Sequence, residues 1–199
     1  MMMKRINCVG DICPVPVIKV KKALAEGTNE LDILVDNEIA VQNISKMLNS
    51  MGCSFFMKKE GEHFLISVSS RVITEEDSKR QLISNNQAAN CVVIISSEFM
   101  GTGDNTLGSL LMEGFIFAIT QQDILSKTVA FYNGGVRHTL KNAKAIGDLQ
   151  YLKQQGVEIF VCGTCLNHFN VLEDLEVGEI TNMYEIVKIM QHASCIIRP

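Results

Sequence analysis

Residues 91 to 95 read Cys-Val-Val-Ile-Ile, an unbroken apolar run, and Met100-Gly101-Thr102-Gly103-Asp104 follows shortly after it. A run without polar alternation fits a strand covered on both faces, the situation of a strand inside a parallel sheet. Further segments continue the theme. The spacing predicts a helix over 105–120, a strand over 128–132 ending at Asn133-Gly134-Gly135, a helix over 145–155 stopped by Gly156, and a strand over 157–161. Cys162-Gly163-Thr164-Cys165 comes next, then residues 166–172, a helix from about Asn182 to Gln191 and a last strand over 193–197. Strands alternating with helices predict a parallel-sheet α/β domain with helices on both faces. Functional groups of such sheets gather at the carboxyl ends of the strands. Those ends carry Gly101 to Gly103, Asn133 to Gly135, and Cys162 to Cys165.

The first part of the chain is ordered differently. A short strand over 5–9 ends at Gly10, and Pro14 to about Ala25 reads as a helix with Val17, Val20 and Leu24 on one face. A strand over 31–35 leads through a helix cap at Asp36-Asn37 into a helix that keeps Ala40, Ile44, Met47, Leu48 and Met51 together. Gly52 ends it, and strands over 53–57 and 63–68 are joined by a turn over 59–62. The order β-α-β-α-β-β predicts a two-layer α/β sandwich of one sheet and two helices. From Arg71 to Asn90 charged residues cluster and Ser84-Asn85-Asn86-Gln87 follows, so this segment reads as a linker with a short helix over 75–83. The expected organisation is therefore a domain over 1–70, a linker over 71–90 and a domain over 91–199.

Composition narrows the function classes. Hydrophobic residues make up 47% of the 199, which is too many for a disordered chain. Lys and Arg number 18 against 22 Asp and Glu, so no basic surplus exists for phosphates and nucleic acid is not expected as a partner. The longest apolar stretch, 110–119, is broken by Glu113 and is too short to span a bilayer. The basic pair Lys4-Arg5 has no apolar segment behind it, so no signal peptide is expected. A soluble cytoplasmic protein follows, with seven cysteines to explain. In a reducing compartment these are apolar filler, reactive thiolates or metal ligands.

Cys13 stands directly before a helix start, where unpaired N–H groups and the helix dipole lower a thiol pKa. Pro14 fits the first helical position, while Pro16 removes a second donor and leaves Val15 and Val17 as the nearest free N–H groups. A modest depression is expected, and from spacing alone a buried residue before a proline helix start fits as well. Cys162 and Cys165 admit three chemistries: a redox pair, a metal site reading C-x2-C-x2-H with His168, or a sulfur relay. Alternatively Cys162 only fills the end of a buried strand. A closed zinc site needs a fourth ligand, and His138, His192 and Cys195 lack a paired motif, so no metal is expected. The glycine loop has Thr106 where a dinucleotide fingerprint has glycine, lacks a phosphate-binding lysine, and carries Asp104. No nucleotide cofactor is expected, and the loop is read as part of the rim around Cys162. Cys8, Cys53, Cys91 and Cys195 lie in or beside strands and read as small buried hydrophobes.

The string Asn7-Cys8-Val9-Gly10-Asp11-Ile12-Cys13-Pro14-Val15-Pro16-Val17, with Lys21-Lys22-Ala23-Leu24 and Asp36-Asn37-Glu38-Ile39-Ala40, resembles the TusA/SirA-like sulfur-carrier family. The resemblance covers about residues 4 to 70. It implies a β-α-β-α-β-β sandwich whose CPxP cysteine, here Cys13, carries a persulfide passed between proteins. Asn7 and Asp11 depart from the family's usual Asp and Leu; Asp11 would either weaken the anion site or dock a cationic partner. Gly156-Val157-Glu158-Ile159 leading to Val161-Cys162, and Met100-Gly101-x-Gly103 before Leu107-Gly108, resemble the DsrE/DsrF-like family, with Cys162 at the acceptor position. Cys162 to Leu166 with Val177 to Tyr184 is similar to a narrower group, often called YedF-type, that fuses both domains and is associated with selenium metabolism. The resemblance implies a sulfurtransferase-like protein in which Cys13 carries sulfane sulfur (or selenium) and Cys162 exchanges it; Cys165 is an added thiol relative to the simpler family pattern, able to resolve the product as a disulfide, and which of the two accepts the sulfur stays open. Partners would be donor and acceptor proteins, with a homo-oligomer formed through the second domain. Two other classes remain open: a thiol-disulfide oxidoreductase or redox sensor using Cys162 and Cys165, and a non-catalytic assembly module.

Overall fold

The computed structural model describes residues 4–12, 14–28, 30–71 and 90–199. Its contacts divide into two compact units, Met1–Leu82 and Ile83–Pro199. Cys13 lies outside the described residues, and so does the short helix expected over 75–83 with nearly all of the expected linker.

In the first unit, β1 (Lys4–Asn7), β2 (Leu31–Val35), β3 (Cys53–Glu60) and β4 (His63–Arg71) form one sheet in the order β1-β2-β4-β3. β1 runs parallel to β2, and the other neighbours are antiparallel. Alternation along β2 buries Leu31, Ile33 and Val35 against α1 (Val15–Ala25) and α2 (Glu38–Ser50). From the helices, Val20, Ala23 and Leu24 meet Ala40, Ile44 and Leu48 in that core. Asn37 caps α2 as expected, its Oδ1 accepting the Ala40 N–H at 2.8 Å. The hairpin strands run longer than the sequence indicated, because Glu60 pairs with His63 across a two-residue turn. Gly61 supplies its first central position at φ +65°, a conformation costly for other residues. At the start of α1 the structure differs by one residue. Pro14 is the cap, Val15 opens the helix and Pro16 is its second residue. Val15 is not free as expected, since its N–H donates to the Ile12 carbonyl at 2.9 Å.

In the second unit, β5 (Cys91–Ile95), β6 (Thr128–Phe131), β7 (Glu158–Cys162), β8 (Glu179–Thr181) and β9 (Cys195–Ile197) form a parallel sheet in the order β8-β7-β6-β5-β9. β5 is covered on both sides, as its unbroken apolar run requires. Val93 and Ile95 face α3 (Asn105–Thr120) and α4 (Ile146–Gln154), where Met112, Ile116 and Leu149 close the core. Val92 and Ile94 face the other way, with Ala130, Phe160 and Ile189 of α6 (Met183–His192). A short α5 (Gly163–His168) follows β7, and two features were not anticipated: β8, and a 3-10 helix over Asn133–Thr139 in place of a simple glycine loop. One cysteine reading is corrected. Cys8 and Cys53 are buried and Cys91 is partly buried, but Cys195 is exposed, because β9 is an edge strand. Among the described residues no helix is long and apolar enough to cross a membrane.

Candidate functional site

Cys162 closes β7 and caps α5, so it stands at the carboxyl end of the parallel sheet. Cys165 follows three residues later on the same helical face. Gly163 permits this sharp strand-to-helix passage against β8, for a Cβ there would lie 2.8 Å from Ile180 Cγ2. The two thiols differ in access. Cys162 retains 2% of its surface, whereas Cys165 is only partly buried, at the edge of the main core.

The Cys165 sulfur has a donor aimed at it. The backbone N–H of Asn133, at the end of β6, donates to Cys165 Sγ at 3.0 Å. That donor is fixed from behind: the 3-10 helix is pressed so closely on the end of β5 that a Cβ on Gly135 would sit 2.2 Å from the Ile95 carbonyl oxygen. Burial and a hydrogen bond with the Cys162 thiol push the Cys165 thiol up, and the Asn133 N–H works against them. The arrangement is thus a hydrogen-bonded dithiol whose outer member can hold negative charge beside an oriented backbone donor.

Around the pair, Arg137 Nε bonds Glu98 Oε1 at 3.0 Å, and the guanidinium lies 4.7 Å from the centre of the Phe169 ring. Phe169 is tied to the pair through its N–H, which donates to the Cys165 carbonyl at 3.0 Å. His168 meets Phe169 edge-on, with ring centres 5.1 Å apart. His138 has its pKa lowered by burial, and its Nε2 has no hydrogen-bond partner among the described residues. Among the described residues no three His, Cys, Asp or Glu side chains gather as a metal site. Asp104, which stood against an anion in the glycine loop, caps α3 by accepting the Leu107 N–H at 2.7 Å. The depression beside that loop is lined by residues of the loop and α3 with Lys144, and neither Cys162 nor Cys165 is among them.

The residues flanking Cys13 form a braced loop. Gly10 donates its N–H to Asp36 Oδ2 at 2.7 Å, and Asp11 Oδ2 pairs with Lys19 Nζ at 2.6 Å. Asp11 is therefore neutralised by the chain's own first helix. The Gly10 N–H, with help from Asn37, holds the Asp36 carboxyl below its usual value. Cys8, beneath the loop, is pushed up to about 11 by burial and by Asp11. An apolar groove of about 320 Å³ opens beside the loop, with Ile12 and Ile39 at its mouth, 62% and 66% exposed.

The DsrE/DsrF-like family model matches residues 89–199, more than half of the chain. The chain belongs to this family. Its first unit matches the family model described as sulfurtransferase TusA, over residues 4–69. A Methanocaldococcus jannaschii protein, whose name proposes it as a sulfur carrier, is 40% identical over 62 residues, 30% of this chain and 83% of that protein. Among solved structures, the SirA-like protein from Desulfitobacterium hafniense is similar at 38% identity and a TM-score of 0.31, covering 33% of this chain and 95% of its own. The ychN protein from E. coli is similar at 16% identity and a TM-score of 0.45, covering 56% of this chain and 99% of its own. Membership of the two families supports a role in sulfur transfer. The backbone donor at Asn133 and the Arg137–Glu98–Phe169 rim were missed by the sequence reading. The only signal for the first was the Asn133-Gly134-Gly135 string at a strand end.

Proposed function

We propose that this protein relays sulfane sulfur (or selenium, which the same soft thiolate holds) as a cysteine-bound adduct. Cys13 is the carrier thiol, and Cys165 with Cys162 forms the exchanging dithiol, both serving donor and acceptor proteins in the cytoplasm. The observation that carries the reading is the sulfur of the partly buried Cys165, which faces the Asn133 N–H at 3.0 Å and is hydrogen-bonded to the Cys162 thiol. An oriented backbone donor stabilises charge developing on sulfur without having to reorganise. Exposure also argues for an order opposite to the one the family resemblance implied. With 2% of its surface accessible, Cys162 is not the thiol an incoming persulfide meets first.

In this scheme the Cys165 thiolate attacks the terminal sulfur of a donor persulfide, giving Cys165 persulfide and the donor thiolate. An acceptor thiolate then takes that sulfur. Alternatively, the Cys162 thiolate attacks Cys165 Sγ, expels hydrosulfide and leaves a disulfide for an external dithiol to reduce. Assembly of second units belongs to the same reading, through α3, where Leu107, Leu110 and Leu111 are 53%, 46% and 46% exposed.

The test is alkylation and mass spectrometry after incubation with a sulfane-sulfur donor. One added sulfur is expected on Cys13 and on Cys165. Cys165→Ser should remove the second adduct, while Cys162→Ser should retain it and stop sulfide release. A Cys13 that stays unmodified yet alkylatable refutes the carrier role, and an adduct on Cys162 in Cys165→Ser restores the opposite order. The hydrogen-bonded pair also favours thiol-disulfide oxidoreduction, which would appear as turnover of a disulfide substrate unaffected by Cys13→Ser.

A further inference from the structure

A second pair of thiols lies at the other end of the same sheet. Cys91 is the first residue of β5 and Cys195 the first of β9, and the two are direct register partners in neighbouring parallel strands. Side chains of register partners leave the sheet on the same face. Adjacent strands are about 4.8 Å apart, inside the roughly 4.4–6.8 Å Cα separation that disulfides span. The backbone fixes this register at the residues just before the cysteines: the Ser194 N–H donates to the Asn90 carbonyl at 3.0 Å. Asn90 Nδ2 also donates to the His192 carbonyl at 2.8 Å, which ties the approach to β9 to the start of β5. Cys195 is exposed and Cys91 is partly buried beneath the edge. This is the layout of an entry thiol with a resolving thiol beside it.

We propose that Cys91 and Cys195 form a second dithiol, reversibly oxidised by small disulfides, whose closure locks the C-terminal edge strand to the sheet. The exposed Cys195 thiolate attacks one sulfur of the disulfide, forming a mixed disulfide and releasing one small thiolate. Cys91 then gives up its proton and attacks Cys195 Sγ, forming the Cys91–Cys195 bond and releasing the second small thiolate. Two protein thiols are oxidised, one small disulfide is reduced to two thiols, and a dithiol reductant reverses the process. Burial and a hydrogen bond with Cys195 push the Cys91 thiol up to about 11, which keeps the proton on Cys91 until the second step. The closure has something to secure, because all three residues of β9 are exposed and β5 is its only strand neighbour among the described residues. The inference is independent of the sulfur-relay reading, since neither Cys13 nor the Cys162–Cys165 pair takes part.

The experiment incubates the full chain with oxidised glutathione, blocks free thiols by alkylation and maps the cysteine peptides by mass spectrometry. A linked pair of peptides containing Cys91 and Cys195 is expected, together with slower backbone hydrogen exchange over 195–197, both undone by dithiothreitol. In Cys91→Ser the glutathione mixed disulfide on Cys195 should accumulate, because nothing resolves it; in Cys195→Ser neither linkage nor adduct should form at Cys91. The proposal is overturned if Cys91 and Cys195 remain alkylatable once Cys162 and Cys165 have oxidised. A mixed disulfide that persists on Cys195 in the unsubstituted chain overturns it equally, since Cys91 would then not be a resolving thiol.

Discussion

Two adjacent glycines should respond very differently to the same small change, and the difference tests how the donor beside Cys165 is held. A Cβ on Gly135 would lie 2.2 Å from the Ile95 oxygen and 2.7 Å from the Ile95 carbonyl carbon, both backbone atoms of a buried strand. No side chain can rotate away, so the 3-10 helix must retreat by about 1 Å to reach ordinary contact. Overpacking of this kind costs about 1–3 kcal/mol, and a backbone-to-backbone clash belongs at the upper end. For a unit of this size, about 3 kcal/mol corresponds to a melting point lower by roughly 10 °C. A Cβ on Gly134 finds its nearest neighbour, Glu98 N, at 3.4 Å, so Gly134→Ala should stay within about 0.5 kcal/mol of the parent. The retreat also pulls the Asn133 N–H from Cys165 Sγ, and loss of that donor raises the thiol further. Calorimetry of the full chain, following the transition of the second unit, measures the first effect; iodoacetamide alkylation of Cys165 at pH 8 measures the second. Gly135→Ala should melt lower and react more slowly, with Gly134→Ala unchanged in both. Equal melting points for the two variants, within about 2 °C, would refute the close packing that fixes the donor.

Other expectations follow from the same chemistry. Cys162→Ala removes the hydrogen bond that raises Cys165, so the pH profile of Cys165 alkylation should move to lower pH; a profile unmoved or moved upward contradicts the coupling. Native alkylation at pH 8 should modify Cys195 while sparing Cys8, which is 1% exposed and pushed up to about 11, and peptide mapping reads the order directly. Asp36 has its pKa lowered by the Gly10 N–H, so its bracing of the segment before Cys13 is fully present above the ordinary carboxylate value and is lost as pH falls through its own, lower one. The protection factor of the Gly10 amide, its exchange divided into the intrinsic rate at each pH, should accordingly fall in acid, and Asp36→Ala should show the low protection at every pH. On the proposed assembly through α3, light scattering should give the parent a mass of more than one chain and Leu110→Lys combined with Leu111→Lys the mass of one; a parent of one chain, or a variant mass equal to an assembled parent's, removes α3 as the assembly face.

What the sequence disclosed divides along physical lines. β5 and β6 were legible because strands covered on both faces carry apolar residues without interruption. α2 was legible because Asn37 caps it and its apolar residues recur at helical spacing. β8 was not, since Glu179-Ile180-Thr181 is too short for alternation to register and becomes a strand only by pairing with β7. The donor to Cys165 comes from a backbone N–H, and every non-proline residue has one, so no residue type advertises it. Cys195 shows the remaining difficulty. Cys195-Ile196-Ile197 has the same pattern as Cys91-Val92-Val93, a cysteine before two β-branched apolar residues, and both predict burial, but one segment is interior to the sheet and the other is its edge. Strand order, which three residues do not encode, decides exposure and so decides reactivity. It also decides pairing. Cys162 and Cys165 announce themselves by spacing, whereas Cys91 and Cys195 become partners only because β9 returns to lie beside β5. The seven cysteines therefore separate into two neighbouring pairs at opposite ends of one sheet, two buried thiols, and Cys13. A count or a motif search finds the first pair and misses the second, because the second exists only in the topology.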